Sequence, residues 1–461
     1  MHQEENILDH TERNETIWGH PKGLFVLFFT ELWERFSFYG MRAILVLYLT
    51  QLTTVDNPGL GWTSEEALAL YGWYGMMVYF MGIFGGVAAD RWLGQKKSVF
   101  IGGIFVILGQ FSIAIEGLAF FYTGLVLLVI GVGLLKPNIS TMVGGLYRKG
   151  DSRRDAGFTI FYIGINIGAL AAPIIVGTVA EKIGWHLGFS IAGFGMIIGQ
   201  MVYIGFRKHL AGVGELLKHS KTEAHIADQP LTKIEKDRII VLLISFLIVI
   251  VFWAAYEQAG GLMNLYARDN VNRFMFGWEI PTSYFQSLHA LYVVLIGGPM
   301  AWIWLKWSKR GKESSAIFKM AVGMIVMSIS FLLLMGAVYD ASINALGKSP
   351  MHWLFLAYFL HVVAELSISP ISLSFITKLA PAKYASLMMG AYFAIVGLGN
   401  KAAGMIGGAA QEAGEMTVFG IIAAACLLVG LLLFVLVKKL KELSHGAEDL
   451  IETPQTYVEP D

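Results

Sequence analysis

The sequence predicts an all-α polytopic membrane protein of about twelve transmembrane helices in two six-helix halves, and three observations carry that expectation. Of 461 residues, 56% are hydrophobic and 15% charged, with a mean hydropathy of +0.60, outside the range of a soluble domain of this size. Apolar runs of spanning length recur near 22–50, 68–89, 98–117, 119–146, 157–180, 187–206, 239–267, 284–306, 316–338, 352–379, 384–410 and 416–437, each near the roughly 20 residues an α-helix needs to cross a bilayer. One long polar stretch, 207–238, separates six runs from six.

The loops orient the runs. Arg91, Lys96 and Lys97 follow the second, Arg148, Lys149, Arg153 and Arg154 the fourth, many basic residues the sixth, Lys306, Lys309, Arg310 and Lys312 the eighth, and Lys438, Lys439 and Lys441 the last. The alternate loops carry Asp56, Glu65, Glu66, Glu116 and Asp340. The positive-inside bias therefore puts both termini in the cytoplasm of a cell (inner or plasma) membrane protein. The expected domains are a cytoplasmic segment 1–21 without a removable signal peptide, a bundle 22–206, a cytoplasmic linker 207–238, a second bundle 239–437 and a cytoplasmic tail 438–461, disordered from about Glu442. A formal net charge of +0 gives no reason to expect nucleic acid, and the single Cys426 excludes a disulfide framework or a cysteine metal site. Gly82/Gly86, Gly164/Gly168 and Gly404/Gly408 have the spacing that lets helices approach closely.

The first run is the most informative. Glu31, Glu34, Arg35, Tyr39 and Arg42 recur at i, i+3, i+4, i+8 and i+11, one stripe of a helix whose other faces are Leu, Phe and Ile. Each charge costs roughly 2.5–3.5 kcal/mol at the bilayer centre on insertion scales, so the stripe is expected to line a polar cavity. In the fourth run, Gly131-Val132-Gly133-Leu134-Leu135-Lys136-Pro137-Asn138 resembles a phosphate loop only superficially: no strand precedes it and no Ser or Thr follows the lysine. Its glycines instead make room for a neighbour, Pro137 makes a kink, and Lys136 is an intramembrane ammonium able to bind an anion.

The fifth run places Tyr162 and Asn166 on one face, either for substrate or for interhelical hydrogen bonding. The seventh holds Trp253, Tyr256 and Glu257, and the tenth Glu365 with Ser369 one turn on, before an expected break at Pro370. Glu31, Glu34, Glu257 and Glu365 stand against Arg35, Arg42 and Lys136, so both halves contribute to a nearly neutral site suited to a zwitterion. His289 and His361 also lie inside spans, where packed neutral histidines are expected more often than proton relays. No Ser/His/Asp set, HExxH or CxxC occurs, so an enzyme is not expected, nor is a cofactor or metal.

Two six-helix halves around a central site are the usual architecture of major facilitator transporters, and Gly86-x-x-x-Asp90-Arg91-x-x-Gly94-x-Lys96-Lys97 is similar to that superfamily's loop after the second helix, whose charges tie neighbouring helix ends together. Over about residues 22–437 the chain resembles the proton-coupled oligopeptide transporter family. The matching segments are Glu31-x-x-Glu34-Arg35-Phe36-x-Phe38-Tyr39-Gly40, Arg153-Arg154-Asp155-Ala156-Gly157-Phe158 leading to Phe161-Tyr162-x-x-Ile165-Asn166, Gly133-x-x-Lys136-Pro137-Asn138, Phe252-Trp253-x-x-x-Glu257-Gln258, Phe285-Gln286-Ser287 and Glu365-Leu366-x-x-Ser369-Pro370.

The resemblance implies import of di- and tripeptides with protons by a lipid-embedded monomer. It makes Glu31, Glu34 and Arg35 the proton-coupling cluster. Arg35 and Lys136, with Arg42, take the peptide carboxylate, and Glu365 with Asn166 takes the amine. Tyr39, Tyr79, Tyr162 and Trp253 line side-chain pockets, with Ser369 and His289 also placed at the substrate, and Arg42 pairs with Glu257 as a gate. Three departures stand out: His289 occupies the place of an amine-contacting Asn, Tyr392 that of a Trp, and the linker is too short for two inserted helices. The first two leave the solute open, the alternative being a proton symporter of the same fold for an amino acid, nitrate or a drug.

Overall fold

The structure, a computed structural model, describes residues 16–147, 151, 153–216, 231–381 and 384–447. Among these, twelve long helices carry the fold: α1 (Lys22–Thr50), α2 (Ser64–Ala88), α3 (Gln95–Ile113), α4 (Leu118–Gly145), α5 (Arg154–Lys182), α6 (Trp185–Gly205), α7 (Lys233–Tyr256), α8 (Tyr284–Lys309), α9 (Ala316–Ile343), α10 (His352–Leu379), α11 (Ala385–Gly408) and α12 (Glu415–Leu443). Ten have the length and apolar composition of membrane spans. The other two are α1, with its charged stripe, and α11, which carries Asn400, Lys401 and several glycines. Both turn polar side chains into the cavity described below, Arg35 and Arg42 from α1 and Asn400 from α11. The chain is a multi-pass membrane protein.

Local sequence sets several of the ends. Thr63 and Glu66 form a reciprocal capping box at the start of α2, and Thr232 and Glu235 form another at α7, each satisfying two otherwise unpaired backbone donors. The second box starts α7 at Lys233, six residues before the apolar run at 239, so the last part of the expected linker is helical. Residues 217–230 of the 207–238 segment fall outside the described residues, as do Arg148 and Lys149 and the tail from 448 onward. α12 runs to Leu443, just past the expected onset of disorder. Pro370 does not break α10, which is continuous from His352 to Leu379. A proline removes one backbone bond, and in a packed bundle neighbours tolerate that loss. The seventh run does break, with a tight turn at Glu257–Ala259 and a short helix, Leu262–Asp269, beyond it.

Packing divides the helices into two bundles of the same plan. In the first, α1 packs on α5 and α6, α4 on α2 and α3, and α3 on α6. In the second, α7 packs on α11 and α12, α10 on α8 and α9, and α9 on α12. Adding six to each helix number converts one set into the other. The main contacts between bundles, α2 on α11 and α5 on α8, obey the same exchange. Because successive helices alternate in direction, the described ends Thr16 and Ala447 share one face, called the terminal face here, and the α1–α2 and α7–α8 connections lie on the distal face.

The bundles meet at the distal side and diverge from it. A Cβ on Gly72 of α2 would sit 3.0 Å from Gly404 Cα of α11, one on Gly75 would sit 2.4 Å from Asn400 Oδ1, and one on Gly397 would sit 3.1 Å from the Met76 carbonyl. Farther toward the terminal face, Gly82 and Gly86 of α2 and Gly390 of α11 would meet nothing within 4 Å. The close approach expected at Gly164/Gly168 and Gly404/Gly408 is present, whereas Gly82 and Gly86 face open space because the bundles have separated by that depth. The loop-motif residues Asp90 and Arg91 are exposed in a π-helical turn at Ala89–Leu93 and make no ion pair among the described residues; Lys96 pairs with Glu215 instead, at 2.6 Å.

Candidate functional site

A cavity lies between the bundles where they begin to separate. Arg35, Tyr39, Arg42, Tyr79 and Lys136 line it from the first bundle, and Trp253, Glu257, His289 and Glu365 from the second. Glu31 and Glu34 stand behind Arg35, 2% and 0% exposed. Of the remaining residues expected at the site, Tyr162, Asn166 and Ser369 are not part of this lining: Asn166 Nδ2 donates to the Tyr162 carbonyl at 2.9 Å, and Tyr162 is 47% exposed.

The charges of α1 are arranged as two separate pairings. Arg35 Nε lies 3.1 Å from Glu31 Oε1 and also donates to Glu34, so two buried carboxylates share one guanidinium. Glu31 Oε2, Glu34 Oε1, Arg35 Nη2 and the Tyr74 hydroxyl are buried with no hydrogen-bond partner among the described residues. About two turns further on, Arg42 donates through Nη2 to Glu257 and through Nε to the Tyr71 hydroxyl at 2.6 Å, and that hydroxyl donates to Glu257 at 3.3 Å. The guanidinium also faces the Tyr39 and Tyr71 rings, a stacked setting that suits its planar charge.

Glu257 reaches Arg42 because α7 ends at Tyr256. Gly260, just beyond, makes the approach possible: a Cβ there would sit 2.0 Å from the Tyr71 hydroxyl and 2.9 Å from Arg42 Nη2. The Ala259 carbonyl left free by the break accepts from Gln286 Nε2 at 2.6 Å and from the Tyr358 hydroxyl at 3.1 Å.

Lys136 is positioned by close helix packing. Gly85 of α2 rests against the Gly133 carbonyl of α4, where a Cβ would lie 2.0 Å away, and Asn138 Nδ2 donates to the carbonyls of Gly85 and Leu134. The lysine between them sits over the Tyr79 ring at 4.9 Å, and among the described residues no carboxylate lies within 4 Å of it. On the other wall, Glu365 Oε2 accepts from His289 Nε2 at 2.6 Å, and the Tyr256 hydroxyl contacts the same nitrogen. His289 is thus hydrogen-bonded to a carboxylate 76 residues away in the chain. His361 is packed and hydrogen-bonded, its Nδ1 2.7 Å from Ser330 Oγ.

Toward the distal face, further contacts join the bundles. Glu181 of α5 accepts the backbone N–H groups of Thr282 and Ser283 at 2.8 and 2.9 Å, capping the N-terminus of α8. Thr178 Oγ1 and the Tyr284 hydroxyl are 2.9 Å apart, Asn264 Nδ2 donates to the Ala43 carbonyl and Arg268 to Thr50. Every side-chain hydrogen bond between bundles among the described residues lies level with the cavity or on its distal side. The sequence reading did not single out Tyr71, Gly260 or Glu181.

Two pseudo-equivalent helix bundles enclosing a charged cavity, sealed on one side and splayed on the other, define a transporter of the major facilitator fold. The model of the POT family matches residues 96–218 and 207–421. The chain is 36% identical to a di-/tripeptide transporter of Lactococcus lactis subsp. cremoris, over 95% of this chain and 98% of that protein, and 34% identical to the peptide transporter YePEPT of Yersinia enterocolitica, over 86% and 89%. An uncharacterized transporter of Bacillus subtilis, YclF, is 36% identical over 93% and 96%. Among solved structures, a peptide transporter POT in complex with alafosfalin superposes with a TM-score of 0.86 at 34% identity, covering 95% of this chain and 99% of that one. A POT family transporter in complex with 5-aminolevulinic acid gives 0.84 at 27%, covering 92% and 98%. The chain belongs to the POT family: it is a transporter and not an enzyme.

Proposed function

We propose that the protein imports di- and tripeptides together with protons by alternating access, with its termini in the cytoplasm. The observation that carries this reading is an ammonium, Lys136, without a carboxylate partner within 4 Å among the described residues, facing one cavity with a carboxylate, Glu365, of the opposite bundle. A short peptide has the complementary charges at its two ends. Its carboxylate is held by Lys136 and Arg35, its amine by Glu365, and its side chains lie among Tyr39, Tyr79 and Trp253. Relatives named as peptide and di-/tripeptide transporters support the substrate class.

Coupling rests on the charge count around Arg35. Two buried carboxylates against one guanidinium leave one negative charge in excess, and a proton neutralises it. A proton entering from outside loosens Arg35 from its glutamates and frees it for the peptide carboxylate. Release of that proton to the cytoplasm restores the three-residue cluster and expels the peptide. In this orientation the distal face is extracellular, so Arg42, Glu257 and Glu181 close the outer side while the cavity opens inward. Each inward charge supplies about 2.3 kcal/mol per 100 mV, and tenfold accumulation costs about 1.4 kcal/mol, so one proton is enough.

The test is uptake of labelled di-alanine into proteoliposomes under an imposed inward proton gradient. Uptake that collapses with a protonophore and in Glu365→Ala is the expected result; gradient-independent or absent uptake by folded protein would refute the reading.

A further inference from the structure

We propose that this transporter also takes carboxylates that lack a free amine, because His289 occupies the amine's position on Glu365. The inference rests on the peptide reading above and deepens its substrate class. An ionised carboxylate can only accept, so the 2.6 Å contact makes His289 Nε2–H the donor to Glu365 Oε2. The Tyr256 hydroxyl abuts the same nitrogen and the two rings meet edge to face, 5.6 Å between centroids, which fixes the imidazole against the carboxylate. Both side chains are largely withdrawn from solvent, 23% and 17% exposed.

The consequence concerns selectivity. A binding site rejects an analogue that lacks a polar group when the analogue leaves the site's own buried partner unpaired, and such rejection reaches about 10⁴–10⁵-fold. Here Glu365 is not left unpaired, since the protein supplies a donor whenever the ligand does not. A peptide amine that displaces His289 exchanges one hydrogen bond to the ionised carboxylate for another, and its net advantage is correspondingly small. Lys136 has only the face of the Tyr79 ring and, among the described residues, no carboxylate within 4 Å, so the ligand's carboxylate stays essential. The class that follows is short acylated amino acids: an amide and a terminal carboxylate, with or without an α-amine.

Propionyl-alanine is di-alanine without its amine and is the direct probe. Its competition against labelled di-alanine exchange is measured beside that of unlabelled di-alanine, in the wild type and in His289→Ala. The expected wild-type inhibition constants lie within about tenfold of each other, the scale of one hydrogen bond exchanged for another. In His289→Ala the gap widens to about 100-fold or more, chiefly by loss of propionyl-alanine binding. A wild-type gap above about 1,000-fold, or an unchanged gap in the variant, overturns the proposal. The wild-type ratio decides by itself if the variant does not fold. Failure of di-alanine itself to bind would instead fell the peptide reading, and this proposal with it.

Discussion

Arg42 and Glu257, 215 residues apart in the chain, form the sole ion pair that joins the two bundles among the described residues. Tyr71 completes it from a third helix, and the chain break after Tyr256 with Gly260 beside it gives the carboxylate its reach. Removing one partner leaves the other charge buried and unpaired, at a cost of about 3–5 kcal/mol to the state that contains the pair. Glu257→Gln is therefore expected to shift the protein toward the conformation open on the distal side and to slow net uptake at least tenfold. Distances between spin labels on the distal ends of α1 and α7 would lengthen; unchanged distances with full uptake would show that the pair does not gate.

Lys136 governs the carboxylate end of the ligand. Replacing it with Ala is expected to weaken di-alanine binding by about 10–100-fold, the worth of one hydrogen bond to a charged group. Lys136→Arg keeps the charge and recovers part of the loss. Binding is read by competition, and equal affinity in wild type and Lys136→Ala would remove the residue from the site.

The cluster around Arg35 separates coupling from translocation. In Glu34→Gln the carboxylate excess is gone, so gradient-driven uptake of di-alanine is expected to disappear while peptide-for-peptide exchange persists. Loss of both to the same degree would mean that Glu34 supports the fold or the ligand rather than proton coupling.

Glycines at two depths of the same helices predict opposite results. Gly404→Leu puts a side chain where a Cβ already lies 2.4 Å from the Leu68 carbonyl, an overpacking that costs about 1–3 kcal/mol and lowers the melting temperature in detergent. Gly86→Leu projects into open space and exchanges a poor helix former for a good one, a gain of about 0.5–1 kcal/mol. It is expected to melt no lower than the wild type and yet to transport poorly, because closing the terminal face brings that space to zero. Wild-type transport by Gly86→Leu would show that α2 and α11 never meet at that level.

Which features were legible in the sequence follows from where their meaning lies. The charged stripe of α1 stands out because Glu31, Glu34, Arg35 and Arg42 interrupt an apolar run, so one helix suffices to mark it. Lys136, Glu257 and Glu365 stand out for the same reason. Tyr71 and Glu181 give no such signal, since a tyrosine in a span and a glutamate at a helix end are ordinary; only the bundle opposite makes them part of a seal. The His289–Glu365 bond was hidden by distance along the chain. The break at Pro370 was expected from a local rule that packing overrode, while the break at Glu257 had no proline to announce it.

The confinement of bundle-to-bundle contacts to the cavity and the region distal to it has a consequence for biogenesis. The helices of α1–α6 find most of their packing partners within their own number, so the first bundle can settle in the membrane while the ribosome is still making the second. At roughly 5–20 residues per second, the second bundle takes tens of seconds to emerge. Two separately synthesised fragments, divided within 217–230, should therefore find one another in the bilayer and restore a working molecule.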